Sequence, residues 1–189
     1  MKKPTALLAC LALIASGAAL ADIESLARTC NTCHGVNGIS AGGAIPSIGG
    51  QSEGYLLQIM MQWKSGERAS ANMTRLISGY SDAQIAALAK HYAAKPWTPK
   101  AKAAGADVIA RGKEATERCG SCHGDTGGEP DDNETPRLNG QEAAFLHLEL
   151  EKYRDDGFEM PHKKMKKNAR KLEEADLPAV AGFYGAQGK

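Results

Sequence analysis

The sequence predicts an all-α protein that consists of two tandem domains related by an internal repeat. A five-residue motif, Cys-x-x-Cys-His, occurs twice in the 189-residue chain, and its two copies lie 89 positions apart. Elsewhere, apolar residues recur every three to four positions, which is the period of a helix, and no stretch alternates convincingly as a strand would. The repeat therefore divides most of the chain into two similar helical halves.

Other landmarks recur at nearly the same offset. Gly50-Gln51 and Gly140-Gln141 are 90 positions apart, and Tyr92 and Tyr184 are 92 positions apart. Between the copies, Lys95-Pro96-Trp97-Thr98-Pro99-Lys100 contains two prolines and favours an extended linker. We therefore expect a first domain over 22–95, a linker over 96–105 and a second domain over 106–189.

Periodicity and capping residues predict three helices in the first copy. The first runs from about Asp22 into the first motif, and a glycine-rich loop follows over 35–50. The second starts near Ser52 and stops at 65–66, where a glycine ends it. The third begins with the capping box Ser81-Asp82-Ala83-Gln84.

The second copy repeats this plan. We expect one helix from about Asp107 into the second motif, then an acidic loop, and then helices over roughly 142–154 and 173–184. Pro178 is tolerated only within the first turn of a helix, so the last helix can instead start near Asp176.

The N-terminus has the pattern of a secretory signal peptide. Met1-Lys2-Lys3 precedes an apolar run over 6–20, and small residues then predict cleavage before Asp22. We therefore expect a signal peptide over 1–21, a periplasmic location and no integral membrane span, since the run is too short. Cys10 within this run also leaves lipidation open, although a conventional cleavage site follows it.

The two motifs have the spacing used for covalent attachment of c-type haem. Residues three and four apart on a helix share one face, so two thiols and one imidazole can meet the same macrocycle. A structural zinc site would need a second ligand pair, and a redox dithiol would need a strand before its helix. We therefore expect two covalently bound haem c groups, attached by Cys30, Cys33, Cys119 and Cys122 and ligated by His34 and His123.

The residue opposite each histidine decides between electron transfer and chemistry at an open iron. Met73 lies eight positions before Ser81, and Met165 lies eight positions before Glu173 at the start of the last predicted helix. This match predicts Met73 and Met165 as the sixth ligands. In the second half, Met160 and His162 remain alternatives for Met165. A His and Met pair leaves no vacant position on the iron, which favours electron transfer.

A ligating histidine usually donates its other ring N–H to a nearby acceptor. Pro46 and Pro136 follow the two motifs at equivalent positions, and their carbonyls can serve as these acceptors, although either proline can instead only form a turn. The 23 basic residues nearly balance the 22 acidic ones, which does not suggest nucleic-acid binding. The basic run over 163–171 is either a solvated face or a surface that attracts an anionic partner.

These residues together resemble the tandem diheme cytochromes c of the cytochrome c4 type, over essentially all of the mature chain. The resemblance rests on the haem motifs and on the residues that follow the first of them. These residues are Pro46 to Gln51, Lys64 to Glu67, Met73 and Ser81 to Ile85. It implies two class I cytochrome c domains, a proline carbonyl that orients each axial histidine, and haem edges that face one another. It also implies one function, a free electron shuttle, for example to a terminal oxidase.

A closer resemblance is to the cytochrome subunit of flavocytochrome c sulfide dehydrogenase. It rests on residues 66–70 before Met73, on 79–81, and on the basic residues before Met165. It implies a haem subunit that accepts electrons from a sulfide-oxidising flavoprotein containing FAD and passes them to other redox proteins, and we favour this function. The second half departs from the pattern, since Leu172-Glu173-Glu174 replaces Tyr80-Ser81-Asp82. A catalytic diheme enzyme of the peroxidase type would need an open iron.

Overall fold

Helices supply the regular secondary structure of residues 23–188, the part of the chain that the computed structural model describes. This agrees with the all-α prediction. The predicted signal peptide and the cap at Asp22 lie outside the described residues. No helix within 23–188 is both long enough and apolar enough to cross a membrane. In chain order the helices are α1 (23–34), α2 (Glu53–Ser65), α3 (Met73–Ile77), α4 (Asp82–Ala93), α5 (Ala106–Ala115), α6 (Gly120–His123), α7 (Ala143–Arg154), α8 (Lys163–Ala169) and α9 (Asp176–Gly185), with a short 3-10 turn at Val36–Gly38.

Local capping explains where the helices of the first half begin and end. The Ser52 side chain accepts a hydrogen bond from the Tyr55 amide, and Gly66 ends α2 with a φ of 80°, a conformation that suits glycine. Ser81 and Gln84 form a reciprocal capping box at the start of α4. These boundaries confirm the predictions made from the sequence.

Each half has its own apolar core. The first core is built from α1 to α4 and the second from α7 to α9, with α5 packed against α9. Gly112 lets α5 approach α9 closely, because a Cβ at this position would lie 2.3 Å from the carbonyl oxygen of Ala179. Residues fully buried in these cores include Ile77, Ile85, Leu88 and Tyr92 in the first half, and Leu177 and Tyr184 in the second half.

The structure corrects one predicted helix. The helix expected from Asp107 into the second motif is not continuous, because α5 ends at Ala115 and α6 begins at Gly120. At the break, the Thr116 hydroxyl donates to the Lys113 carbonyl at 3.0 Å. A β-branched side chain that binds the preceding turn is a poor continuation of a helix. Two short helices, α3 and α8, were not predicted, whereas the later start of the last helix, at Asp176, is confirmed.

The two halves contact each other through polar groups as well as through the chain that joins them. Arg68, which is 5% exposed, donates to Glu149 at 2.5 Å and to the Tyr153 hydroxyl at 3.1 Å. Its guanidinium also lies 5.4 Å from the centre of the Tyr153 ring. Since a buried charge must be paired, Arg68 fixes α7 of the second half against the first half.

The segment between the halves packs on the two Gly-Gln turns. A Cβ on Gly50 would lie 2.2 Å from the backbone nitrogen of Trp97, and a Cβ on Gly140 would lie 2.5 Å from Pro99. Both glycines have positive φ, 80° and 66° respectively. The repeated glycine therefore serves two needs: a left-handed backbone and a close approach of the joining segment.

Gly50→Ala tests the need for this close approach, with Gly66→Ala as a matched control. Both glycines have a φ of 80°, but no described residue has an atom within 4 Å of a Cβ built on Gly66. We expect the control to lower the free energy of unfolding by about 1 kcal/mol, the cost of a left-handed alanine. We expect Gly50→Ala to lower it by about 3 kcal/mol, because backbone must also move. Urea unfolding followed by circular dichroism measures both, and equal losses would contradict the packing argument.

Candidate functional site

His34 is the last residue of α1 and is buried. Its Nδ1 lies 2.8 Å from the carbonyl oxygen of Pro46. Because a carbonyl only accepts, Nδ1 carries the proton and Nε2 keeps a free lone pair. Burial lowers the pKa of His34, and the bond to Pro46 opposes this effect. A neutral imidazole with a fixed tautomer is the form that ligates a metal.

His123 repeats this arrangement in the second half. It ends α6, it is buried, and its Nδ1 donates to the Pro136 carbonyl at 3.0 Å. Burial again lowers its pKa, and the bond to Pro136 opposes this shift. The prediction that both prolines supply acceptors for the motif histidines is therefore confirmed.

The backbone that presents each proline is held by the same pair of hydrogen bonds in both halves. The Gly38 carbonyl accepts from the amides of Ile48 and Gly49, at 2.8 and 3.0 Å. The Gly127 carbonyl accepts from the amides of Leu138 and Asn139, at 2.7 and 3.3 Å. Each loop thus closes back on the turn that follows its motif, which positions the proline carbonyl beneath the histidine.

None of the four motif cysteines forms a disulfide with another residue of 23–188. Burial raises the pKa of Cys30 and of Cys119, the first cysteine of each motif. Cys33 is exposed and Cys122 is half-buried. The Nζ of Lys164 lies 3.0 Å from the Cys122 sulfur, so the basic α8 is next to the second motif.

The predicted methionine ligands occupy equivalent places. Met73 is the first residue of α3 and Met165 lies in α8, and each is half-buried against the core of its own half. Of the alternatives, Met160 is 6% exposed within the second core. His162 instead faces the other half, with its Nε2 3.5 Å from Nε2 of Gln62.

The structure also brings together residues for which the sequence predicted no role. Gln51 and Gln141 are buried, and each hydrogen-bonds across the boundary between the halves, to the loop that carries the other half's proline. The 90-position repeat of Gly-Gln was a signal for both residues. It located them in the sequence but could not indicate that they cross to the opposite half.

No protein-family model matches the chain. Cytochrome c4 from Pseudomonas aeruginosa is 30% identical to it over 172 residues, which cover 85% of this chain and 84% of that protein. The chain belongs to the cytochrome c4 family. The solved structure of reduced recombinant cytochrome c4 from Pseudomonas stutzeri matches 88% of this chain and 97% of its own, with a TM-score of 0.78 and 23% identity.

A further match is a solved structure of thiosulfate dehydrogenase (TsdBA) from Marichromatium purpuratum, with a TM-score of 0.72 and 23% identity. It matches 84% of this chain but only 36% of that longer chain. As in other members of the cytochrome c4 family, the fold is two tandem class I cytochrome c domains.

The chain is an electron-transfer cytochrome with two covalently bound haem c groups. The residues at each motif fit such a group, since they supply two cysteines that form no disulfide within 23–188 and one imidazole whose Nδ1 is bonded to a carbonyl, which leaves Nε2 for the iron. In addition, the indole N–H of Trp63 is buried and has no hydrogen-bond partner among residues 23–188. A buried donor of this kind suits a polar group that the polypeptide itself does not supply.

Proposed function

We propose that each half of the chain attaches one haem c and saturates its iron. The observation that carries this proposal is the mirrored pair of buried histidines, each with its Nδ1 bonded to a proline carbonyl. When bound, haem c supplies a one-electron couple. Cys30, Cys33, Cys119 and Cys122 would attach the two groups, and the irons would be ligated by His34 with Met73 and by His123 with Met165.

The polypeptide holds these ligands in place rather than taking part in bond-making. The proline carbonyls fix the histidine tautomers, and Met73 and Met165 each pack against the apolar core of their own half. A site whose ligands are fixed before electron transfer needs little rearrangement when the charge changes. The two equivalent sites in one chain support a relay of electrons from one half to the other.

Replacing Met73 or Met165 with Ala tests the axial assignment. Each substitution should remove about half of the methionine-to-iron absorption band of the oxidised protein, because one iron loses its thioether ligand. Each should also allow carbon monoxide to bind one reduced haem. Met160→Leu, which keeps the volume of the side chain, is the control and should leave the band intact. If Met160→Leu loses part of the band and Met165→Ala keeps all of it, then Met160, and not Met165, is the ligand in the second half.

We propose further that the electron donor is a flavoprotein that oxidises sulfide. The support is the resemblance of residues 66–70, 79–81 and 163–165 to the cytochrome subunit of flavocytochrome c sulfide dehydrogenase. Arg68 is buried between the halves, so part of this resemblance concerns internal packing and not a partner surface. The curated cytochrome c4 relatives support the alternative, a free shuttle.

Purification of the native protein from its own cells distinguishes these two functions. A complex with a flavoprotein should contain flavin in a fixed ratio to haem, and anaerobic sulfide should reduce its haems. If the protein is isolated without flavin, and sulfide plus the cell extract does not reduce it, the free shuttle is correct. We also propose export to the periplasm with cleavage of residues 1–21, which N-terminal sequencing of the same sample measures.

The basic helix α8 is a candidate surface for an anionic redox partner. Its lysines Lys163, Lys164 and Lys167 are exposed, and none of them forms an ion pair with a described residue. Lys164 lies against the second motif, so this positive surface borders the second haem site. Electrostatic attraction at such a site increases association rates at low ionic strength.

Lys163→Gln with Lys167→Gln tests this steering, and Lys90→Gln with Lys113→Gln is the control. Both double variants remove two exposed positive charges, but the control charges are on α4 and α5. The α8 variant should exchange electrons several-fold more slowly with an anionic partner at low salt and should show a weaker salt dependence. Equal effects of the two variants would show that only net charge matters.

A further inference from the structure

We propose that Gln51 and Gln141 are positioning residues, each of which adjusts the haem histidine of the opposite half. This inference rests on the proposed function, because it requires His34 and His123 to be the axial ligands. The two glutamine side chains cross the boundary between the halves in opposite directions.

In the first half, the peptide group between Pro46 and Ser47 is bound on both edges. Its carbonyl oxygen accepts from His34 Nδ1 at 2.8 Å, and its N–H donates to Gln141 Oε1 at 2.7 Å. The same amide of Gln141 donates from Nε2 to the Ser47 carbonyl at 2.9 Å. Because a backbone N–H and a C=O face it, the orientation of this carboxamide is fixed.

The second half contains the equivalent arrangement. The carbonyl of Pro136 accepts from His123 Nδ1 at 3.0 Å, and the N–H of the same peptide group, on Arg137, donates to Gln51 Oε1 at 2.9 Å. Gln51 also donates from Nε2 to the Arg137 carbonyl at 2.9 Å. Each glutamine therefore belongs to one half and holds the proline peptide of the other.

Burial makes these contacts strong and obligatory. Gln51 is 2% exposed and Gln141 is 3% exposed, so water does not compete for their carboxamides. A side chain that bound the loop only for stability could attach anywhere along it. These two instead accept, through Oε1, from the peptide group whose carbonyl accepts the hydrogen bond of the histidine.

The physical consequence follows from polarisation along the hydrogen-bond chain. A peptide whose N–H is donated to a good acceptor has a more negative carbonyl oxygen, so it accepts more strongly from the histidine. A histidine that donates a stronger hydrogen bond is a more basic ligand, and this favours the oxidised metal. Gln141 therefore lowers the reduction potential at His34, and Gln51 lowers it at His123.

Because each glutamine contacts the opposite half, its substitution should change the potential of the haem in that opposite half. Gln141→Leu should raise the potential of the first haem, although residue 141 is in the second half, and Gln51→Leu should raise that of the second haem. At fixed ambient potential, the ratio of reduced to oxidised haem at the affected site should rise several-fold, while the other site changes little. Gln58→Leu is the matched control, since Gln58 donates across the same boundary at 2.8 Å, but to the Glu134 side chain and not to the peptide group that follows Pro46 or Pro136.

The experiment uses the intact protein with both haems, and it combines spectroelectrochemistry with proton NMR of the reduced form. The Nδ1–H resonance of His34 should move upfield in Gln141→Leu and that of His123 in Gln51→Leu, because each hydrogen bond weakens. The resonance that moves identifies the half in which the hydrogen bond of the histidine has weakened. Neither resonance would move if the glutamines only held the halves together.

Two outcomes would overturn the inference. Either each substitution affects the histidine of its own half, or both substitutions resemble Gln58→Leu. Failure of the proposed function is distinguishable, because the unsubstituted protein would then lack two histidine-ligated haems with the methionine-to-iron band.

Discussion

The constraint on which the rest depends is that one peptide group in each half is hydrogen-bonded on both edges, by a motif histidine on one edge and by a buried glutamine on the other. In the first half this is the peptide between Pro46 and Ser47, which accepts from His34 and donates to Gln141. Buried backbone groups almost always find partners, and here one partner is a motif histidine and the other is a residue of the opposite half. The orientation of the histidine and the association of the halves therefore depend on the same few atoms.

This constraint connects the internal repeat to the function of an electron-transfer cytochrome. In an isolated copy of the module, only water could take the place of the glutamine at the N–H of the proline peptide. In this chain, Gln51 of the first copy and Gln141 of the second each bind the loop that carries the histidine acceptor of the other copy. Arg68 and its partners Glu149 and Tyr153 add a buried charged contact nearby. The same interface between the halves therefore connects the two predicted redox sites.

Sequence reasoning succeeded where the cause is local. Ser52 and Ser81 cap their helices through residues three positions away, and a proline in the first turn explains why α9 starts at Asp176. It failed where the cause is a competing local bond or a distant contact. The hydroxyl of Thr116 binds the preceding turn and accompanies the break before the second motif, and the crossing of the glutamines depends on how two domains pack. The Gly-Gln repeat indicated that both residues matter, but not to which half each one reaches.

The crossed contact is the central claim, and amide hydrogen exchange in the reduced protein tests it most directly. The N–H groups of Ser47 and Arg137 lie in loops, where exchange is usually fast, but each is bound to a buried glutamine of the opposite half. We predict that both amides exchange as slowly as the amides of the helices in the cores. Exchange of these two amides at the rate of an exposed loop would contradict the account.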